Sequence, residues 1–400
     1  SFFDVIKDET LQSKYSKNDP RYATDKSGRI NDVQVWWVDY SVKLATQKLF
    51  DNDDIGFMAG YQFNHSYLDL DSWSSDNVEN EEKTSVRNGN ANGGSTETHS
   101  FFAQTDWDVT DQLNVMAGVR YDHWAATRGH IKNVDIDNRD ASRISPKFSL
   151  EYRPMEALSA RYSFTKAYRF PVAEELFESS TNTNSVNISN PNLGPETGYF
   201  HDFRLQYDFE TGGYASATFF YNNIENEILR TSTLLANGST KNLTRSIDET
   251  EALGIEVAYV QDYIFDLPLA LSLNGTWLNK EFKKDSNTTT NEGNEWPRIP
   301  QWRANGTLTY HATENWDNIV AVQYRSSQFG QDDNSDKVHN VYGSSDSYVL
   351  VNFKTAYSMD VGNDVTAKFS VGIDNILNEN YYDHHPYPQR TYFANIALDI

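Results

Sequence analysis

The chain has 400 residues, with 34 Lys and Arg against 57 Asp and Glu, a formal net charge of −23, 14% aromatic residues and no cysteine. The acidic balance argues against a nucleic-acid-binding protein, which needs a basic face, and the lack of cysteine excludes a disulfide scaffold, a thiolate metal site and a cysteine nucleophile. No apolar run approaches about 18 residues, which excludes a helical membrane bundle but not a membrane β-barrel, in which only alternate residues face lipid.

The chain begins with the segment Ser1–Val5, which has the composition of a strand. It shows no initiating Met, no basic n-region and no apolar h-region, so we expect no signal peptide within it. We therefore expect the chain to be a fragment or a processed form of a longer protein.

Period-2 alternation of apolar and polar residues runs through the whole chain, while helical periodicity is almost absent. The clearest examples, in chain order, are Leu113–Tyr121, Leu158–Phe164, Leu267–Trp277 and Val365–Ile373. Alternation of this kind is typical of strands with one apolar and one polar face. The pattern predicts an all-β protein of about sixteen strands.

The predicted connections alternate between short and long. Short ones lie near 51–54, 110–112, 154–156, 210–213, 262–266, 313–315 and 360–363, and long polar ones cover 7–31, 71–96, 129–141, 171–197, 231–240, 283–296, 330–345 and 379–388. Tight turns on one side, long loops on the other and aromatic residues at strand ends predict a transmembrane antiparallel β-barrel. A soluble β-sandwich or β-solenoid is the alternative, but sandwich strands are shorter and no fixed repeat period is present.

Two sets of charged residues accompany these strands. Basic residues that alternate with apolar ones are predicted to face a wet or filled interior, because a charge in lipid is costly. They are Arg120, Lys147, Arg153, Arg161, Arg303, Arg325, Lys354 and Lys368. They form either a ladder of interior ion pairs or a basic wall that attracts anionic ligands. Acidic residues fall in the long loops, where they hydrate the surface or bind divalent cations that bridge lipopolysaccharide.

Six segments carry recognisable motifs. They are Thr165–Phe177, Asn190–Glu196, Gly254–Val257, Pro297–Arg303, Asp374–Tyr382 and Pro388–Phe393. The first two contain an aromatic-Arg-aromatic-Pro run, a Glu-Leu pair and Asn-Pro-x-Leu-x-Pro-Glu, and the set resembles the signature of TonB-dependent outer-membrane receptors over essentially the whole chain. Pro191 and Pro195 stiffen their loop, and Glu196 is placed to bridge Arg169 or the next hairpin.

The resemblance implies a barrel of 22 strands with a plugged lumen. Because about sixteen strands are predicted here, we expect residues 1–400 to be the C-terminal part of such a barrel. The N-terminal plug domain, the TonB box, the signal peptide and about six strands are then expected to lie outside the chain.

By the same resemblance, the protein is not an enzyme, needs no cofactor and imports a cargo across the outer membrane of a Gram-negative bacterium. The expected cargo is a ferric siderophore, with haem, copper, cobalamin or a glycan as alternatives. The expected partners are the TonB-ExbB-ExbD complex, acting through the plug, together with outer-membrane lipid and lipopolysaccharide, and no nucleic acid. A passive sixteen-stranded porin is the alternative from a different class, and no Gly-x-Ser-x-Gly or His-Glu-x-x-His motif supports a surface hydrolase.

Five aromatic or basic residues on the predicted loop side are candidate ligand contacts. Tyr168 and Arg169 open a Pro-stiffened loop, and Arg298, Trp302 and Arg325 lie beside later loops. Arg makes bidentate bonds to carboxylate, catecholate or hydroxamate oxygens, and aromatic side chains stack on chelator rings. The structural alternative is that these residues only stabilise the rim of the barrel.

Histidines raise a metal hypothesis. His384 and His385 lie in the last long loop beside Asp383, and such side chains bind copper or zinc. Adjacent residues on an extended chain point apart, so a site needs a third ligand from elsewhere, and rim packing is the alternative. Four more histidines near one predicted outer end keep copper and haem open as cargoes: His65, His99, His123 and His130.

Overall fold

The computed structural model of the chain describes residues 6–15, 17–84, 91–132, 134–181, 185–235, 237–265, 267–362 and 365–399. The strand predicted at Ser1–Val5 lies outside these residues. Within the described ranges, no helix is both long enough and apolar enough to cross a membrane.

Long strands make up most of the described chain. They are β1 (Ile6–Ser13), β2 (Gly28–Thr46), β3 (Ile55–Ser75), β4 (Asn92–Thr110), β5 (Leu113–Ile131), β6 (Arg139–Met155), β7 (Leu158–Arg169), β8 (Glu196–Asp208), β9 (Tyr214–Leu234), β10 (Thr240–Gln261), β11 (Leu269–Lys284), β12 (Trp302–Thr313), β13 (Trp316–Arg325), β14 (Tyr348–Gly362), β15 (Val365–Asp374) and β16 (Thr391–Asp399). Short strands occupy Val134–Asp135, Ser180–Thr181, Ser185–Ile188, Tyr382–Asp383 and His385–Pro386. The helical segments are α1 (Ala173–Phe177) and three 3₁₀ turns at Pro20–Ala23, Val78–Asn80 and Thr289–Asn291.

Each long strand pairs with the next one in antiparallel register, from β1 with β2 to β15 with β16. Together with three short strands, these sixteen make one sheet of 19 strands. No pairing joins β1 to β16 within the residues that the structure describes. The predicted all-β fold, with long strands in an antiparallel meander, is confirmed.

Tight turns and long loops lie at opposite ends of the sheet, as predicted. Residues 111–112 connect β4 to β5 and residues 314–315 connect β12 to β13, whereas residues 170–195 connect β7 to β8. Because consecutive strands run in opposite directions, every second connection falls at the same end. All the long-loop candidate residues therefore belong to one end of the sheet.

The two faces of the sheet carry opposite chemistry. On the outer face, Phe101 of β4 and Tyr121 of β5 are 56% and 42% exposed, whereas their inward neighbours Ser100 and Asp122 are 1% and 3% exposed. A soluble protein would bury the rings and expose the carboxylate. Apolar side chains outside and polar ones inside are the arrangement that a strand needs when lipid surrounds it.

The connection between β7 and β8, residues 170–195, folds against the inner wall of the sheet and is called the inward loop below. Its helix α1 contacts β3, β4 and β5. Leu176 and Phe177 of α1 are buried together with the inward-facing Leu68 and Trp124. Burying each of these side chains contributes about 1.5–3 kcal/mol, which explains why a predicted polar loop folds onto the wall.

The inward loop is also attached on its other side. Ser185–Ile188 pairs in parallel with the first residues of β10, and the Arg139 guanidinium donates a hydrogen bond to the Pro191 carbonyl. Glu175 accepts a hydrogen bond at 3.1 Å from the Val172 backbone N–H at the start of α1, where a negative charge favours the helix dipole. The inward loop, which connects β7 to β8, is thus attached to β6 on one side of that hairpin and to β10 on the other.

Candidate functional site

Arg169 at the end of β7 connects both motif segments. Its Nη1 lies 3.0 Å from Glu175 Oε1 and its Nη2 lies 2.6 Å from Glu196 Oε1. Glu196 also accepts a hydrogen bond at 2.7 Å from the backbone N–H of Ile228 on β9. The predicted bridge from Glu196 to Arg169 is confirmed, and it ties the inward loop to the rim.

A cavity of about 1070 Å³ lies between the inner wall and the inward loop. Strands from β2 to β7 form its wall, and Phe170 to Val172 and Glu174 border it from the inward loop. Its basic lining residues include Lys43, Lys147 and Arg169. Its volume lies just above the range of about 300–1,000 Å³ for small-molecule sites, so a chelate-sized molecule fits in it.

The basic lining residues are not equivalent. Arg120 is fully engaged, with Nε 2.7 Å from Asp122 Oδ1, Nη1 donating to Gln62 Oε1 at 3.0 Å and Nη2 donating to Ser100 Oγ at 2.8 Å. Lys147 forms no ion pair within the described part of the chain. Arg120 therefore fits the interior-ladder interpretation, while Lys147 leaves positive charge on the cavity wall.

The Arg325 cluster, made of Arg325, Tyr348, Tyr381, Asp383 and Tyr387, lies at the long-loop end of β13 and β14. Arg325 Nη1 lies 2.8 Å from Asp383 Oδ2, and the guanidinium lies 5.0 Å from the Tyr348 ring centre. The Tyr381 ring lies 4.4 Å from that of Tyr348 and 5.3 Å from that of Tyr387. The hydrogen bond from Arg325 lowers the pKa of Asp383. The arrangement offers a cation beside stacked aromatic rings.

Sequence reasoning found Arg325 but not the rest of its cluster. Asp383 is 58 residues away from Arg325 along the chain, so no local spacing connects them. The tyrosines concentrated around Asp383 in the last long loop are the sequence signal that points to this cluster.

Arg298 and Trp302 lie in different surroundings. Arg298 is exposed, has a left-handed backbone with φ of 63°, and donates its backbone N–H to the Phe329 carbonyl at 2.6 Å. Trp302 is 52% exposed on the outer face, which it shares with Tyr310, and its ring lies 6.3 Å from that of Trp277. Arg298 therefore belongs to the loop surface and Trp302 to the outer aromatic belt.

Tyr168 and Arg169 also point apart. Tyr168 borders the cavity, but strand alternation places its side chain on the outer face with Lys166, two residues earlier. Lys166 lies directly opposite Tyr199 of β8, and its Nζ lies 5.4 Å from the Tyr168 ring and 5.0 Å from the Tyr199 ring. The structure brings Arg169 to the inward loop and Tyr168 to the outer wall.

His384 and His385 are both exposed in the last long loop, with ring centres 4.9 Å apart and nearly perpendicular. The His385 ring also lies 4.9 Å from that of Tyr342. Among the described residues, no group of three or more His, Asp or Glu side chains has an arrangement that could hold a metal ion. Metal binding by this pair stays a prediction, and the third ligand it requires is not in place.

Three of the other histidines lie on the outer face. His99 Nδ1 is 2.8 Å from the Tyr61 hydroxyl, and the His65 ring stacks on Trp36 with centres 4.8 Å apart. His123 lies directly opposite His99 across the β4–β5 pair. Their aromatic neighbours place these histidines in the outer belt, although His65 also borders the cavity.

A buried ion-pair network, which the sequence did not predict, joins two long loops above β11 and β13. Arg245 Nη1 lies 2.7 Å from Asp285 Oδ1 and Nη2 lies 3.3 Å from Asp332 Oδ2, with the Asp285 side chain fully buried. Asn334 Oδ1 accepts a further hydrogen bond from the Glu295 backbone N–H at 2.8 Å. Separations of 40 and 87 residues from Arg245 leave no local pattern that would reveal this network.

A family model described as "TonB dependent receptor-like, beta-barrel" matches residues 4–376. The chain is similar to the solved structure of the copper transporter OprC, with a TM-score of 0.70 and 15% identity, over 92% of this chain and 57% of that one. It is also similar to the ferric citrate transporter FecA in its unliganded form, with a TM-score of 0.69 and 15% identity over 92% and 55%. The ferric yersiniabactin uptake receptor FyuA from Yersinia pestis gives 0.64 and 14% over 92% and 53%.

The chain thus spans little more than half the length of these structures, and at such identities the likeness shows the fold. The family model covers nearly the whole chain, and barrels of this family are outer-membrane receptors, not enzymes. The resemblance inferred from the motifs is therefore confirmed. The chain belongs to the TonB-dependent receptor-like β-barrel family.

Proposed function

We propose that the chain is the C-terminal barrel part of a receptor for active uptake of a ferric siderophore across the outer membrane of a Gram-negative bacterium. In this proposal, residues 1–400 supply about sixteen strands of a 22-stranded barrel, and the plug domain lies outside the chain. The TonB-ExbB-ExbD complex acts on the plug to release the cargo. Two of the compared structures are named for ferric chelates, citrate and yersiniabactin, which supports this cargo class.

The Arg325 cluster is the observation that carries the cargo proposal. Arg325 Nη1 is engaged with Asp383, while its Nε and Nη2 are buried and have no hydrogen-bond partner within the described residues. Tyr387 is 45% exposed, so it is the ring that an arriving ligand meets first. A ferric siderophore presents anionic oxygens and, in the catecholate class, aromatic rings, which match a guanidinium and stacked tyrosines.

The other candidate contacts divide by the face that they occupy. Arg169, which borders the cavity, and the exposed Arg298 are retained in the proposal as cargo contacts. Tyr168 and Trp302 have side chains on the outer face, so the proposal assigns them to the membrane interface.

The cargo proposal predicts that Arg325→Ala in the full receptor weakens binding of a ferric siderophore by about tenfold or more, because hydrogen bonds to a charged group are worth about 1.5–3 kcal/mol. Equilibrium binding of a panel of catecholate, hydroxamate and carboxylate ferric chelates to purified receptor measures this. Arg153→Ala is the matched control, since Arg153 is 52% exposed and lies near the short turns. Equal affinity of Arg325→Ala and the unmodified receptor for every chelate bound would contradict the assignment.

Copper is the second candidate cargo, and two observations favour it. One similar structure is a copper transporter, and the His384 and His385 rings lie 4.9 Å apart. On the siderophore proposal, replacing both histidines by Ala leaves ferric chelate affinity unchanged. Tight Cu²⁺ binding by the purified receptor that is lost in this double variant would favour copper instead.

A further inference from the structure

A second arginine lies directly beside Arg325 on the inner wall. Arg303 of β12 is directly opposite Arg325 of β13 in the strand register. The residues just before them, Trp302 and Tyr324, are 52% and 39% exposed on the outer face, so strand alternation turns both arginines towards the lumen. Arg303 and Arg325 are therefore inward neighbours at the long-loop end of the sheet.

The backbone hydrogen bonds bring these two arginines especially close together. The Ser326 backbone N–H donates to the Trp302 carbonyl at 3.0 Å, which makes Arg303 and Arg325 a non-hydrogen-bonded pair of the antiparallel ladder. In such a pair the Cα atoms are about 4.5 Å apart, and the side chains are closer than in a hydrogen-bonded pair. Like charges placed directly opposite each other destabilise a sheet, so this arrangement needs negative charge to balance it.

The described residues supply one carboxylate for the two arginines. Arg325 Nη1 lies 2.8 Å from Asp383 Oδ2, and within the described ranges no carboxylate lies within 4.0 Å of the Arg303 side-chain nitrogens. On its other side, Arg303 is directly opposite the uncharged Thr276 of β11. Arg303 is exposed, whereas Nε and Nη2 of Arg325 are buried without a partner. The pair thus keeps one positive charge in excess, and its accessible member is Arg303.

A second pair of opposed arginines, near the short turns, has an acid beside it. Arg161 of β7 is directly opposite Arg204 of β8. On its other side, Arg161 is directly opposite Glu151 of β6, and Arg204 Nη2 donates to Gln206 Oε1 at 2.5 Å. In a chain with a formal net charge of −23, the lack of such an acid beside Arg303 leaves a local positive potential that attracts an anion from outside the protein.

The shape of the guanidinium group favours one kind of anion. It presents its N–H donors as a planar fork that matches the two oxygens of a carboxylate, and two neighbouring forks can hold one carboxylate between them. In ferric chelates of polycarboxylic acids, some carboxylates stay free of the metal, whereas in tris-hydroxamate and tris-catecholate chelates every charged oxygen binds iron. A free carboxylate is therefore the group by which an arginine pair distinguishes these chelates.

We propose that Arg303 and Arg325 form an arginine pair that selects ferric chelates carrying free carboxylates. Arg303 binds a free carboxylate first, because it is the exposed member of the pair. The ring of Tyr348, directly opposite Arg325 on β14, packs against the carbon skeleton of the chelate. This selectivity rests on the proposed function, ferric chelate uptake, and narrows its cargo to one chemical class.

Equilibrium binding of three iron complexes to the purified full receptor tests this selectivity. The probes are ferric citrate, a ferric tris-hydroxamate and a ferric tris-catecholate, and iron-free citrate is the competitor. Arg303→Gln removes the charge, and Arg303→Lys keeps the charge without the planar fork. Arg161→Gln is the matched control, because Arg161 is also an exposed, inward arginine directly opposite another arginine. Heat-modifiable migration on gels and thermal unfolding verify that each variant is folded.

We expect the unmodified receptor to bind ferric citrate most tightly of the three complexes, and Arg303→Gln to lower that affinity by about tenfold or more. Arg303→Lys should lose part of the affinity and Arg161→Gln none of it. The affinities for the hydroxamate and catecholate complexes should be the same in all four proteins.

Two results would overturn the proposal while leaving the proposed function in place. One is tighter or equal binding of the hydroxamate or catecholate complex by the unmodified receptor. The other is an unchanged ferric citrate affinity in Arg303→Gln, and a lower thermal stability of that variant without cargo would then assign the pair to a carboxylate of the plug domain. Displacement of ferric citrate by an equal concentration of iron-free citrate would also overturn it, because the pair would then recognise any free carboxylate. Binding of none of the three complexes would overturn the proposed function itself.

Discussion

Glu178 lies just after α1 in the inward loop, where its surroundings disfavour the ionised form of its carboxyl group. Burial raises the pKa of its carboxyl, and the negative charge of Glu174 adds to this, while Arg230 acts in the opposite direction. An acid with a raised pKa in the folded protein costs stability at neutral pH, and this cost disappears as the pH falls and the carboxyl is protonated.

Glu178→Gln is therefore predicted to stabilise the inward loop at pH 7 and to have no effect near pH 4. The gain should be less than about 1 kcal/mol, because the side chain is partly exposed and solvent screens its charge. Hydrogen exchange of residues 173–181 in the full receptor at the two pH values measures it. Glu210→Gln, at an exposed turn on the opposite end, should change nothing at either pH. A loss of protection at pH 7 would show that the Glu178 charge is needed.

Local patterns predict only some contacts at this scale. The bridge from Arg169 to Glu196 followed from two adjacent motifs, whereas Asp383 was missed as the partner of Arg325 because a loop fold brings them together. The outward direction of Tyr168 could have been predicted, since it continues the apolar face of Leu158–Phe164 by two more alternations.

At the scale of elements, the inward loop depends on a small apolar contact. Phe177 is 2% exposed, and its ring lies so close to the backbone of β4 and β5 that a Cβ at Gly94 or Gly129 would come within 2.5 Å of it. Gly94 also has a φ of 156°. Glycine at both positions is thus what allows α1 to rest on the wall.

Phe177→Ala is predicted to destabilise the inward loop by about 3–5 kcal/mol, the usual cost of removing a buried ring. Since the barrel strands keep their own hydrogen bonds, exchange should increase in residues 173–177 and stay unchanged in β4 and β5. The control is Phe50→Ala, because Phe50 is 92% exposed in a short turn. Unchanged exchange in α1 would show that the helix does not depend on this ring.

Strand alternation predicted most of the long strands, but β1 (Ile6–Ser13) lies inside the connection predicted at 7–31, and the inward loop was not predicted. The sequence of residues 171–197 is rich in Ser, Thr and Asn, which favours a solvated loop. Leu176, Phe177 and Leu193 nevertheless find a partly buried wall to pack on, and that wall is formed by strands far away in sequence. Tertiary packing therefore overrides the local preference of residues 171–197 for a solvated loop.

At the scale of the whole molecule, the sheet is a meander whose first and last strands are not paired with each other within the described residues. A sheet edge in lipid leaves backbone groups without partners, which is costly. The number of strands in the chain could be predicted from alternation, but the closure of the barrel could not, because it depends on which strand adjoins each edge.

Uptake by whole cells tests most directly whether this barrel belongs to an active receptor for a ferric siderophore. Uptake of radiolabelled ferric siderophore is measured in cells that express the full receptor, with and without a functional TonB. We expect saturable uptake that is abolished without TonB. Uptake that rises linearly with concentration and persists without TonB would contradict it and would indicate a passive pore.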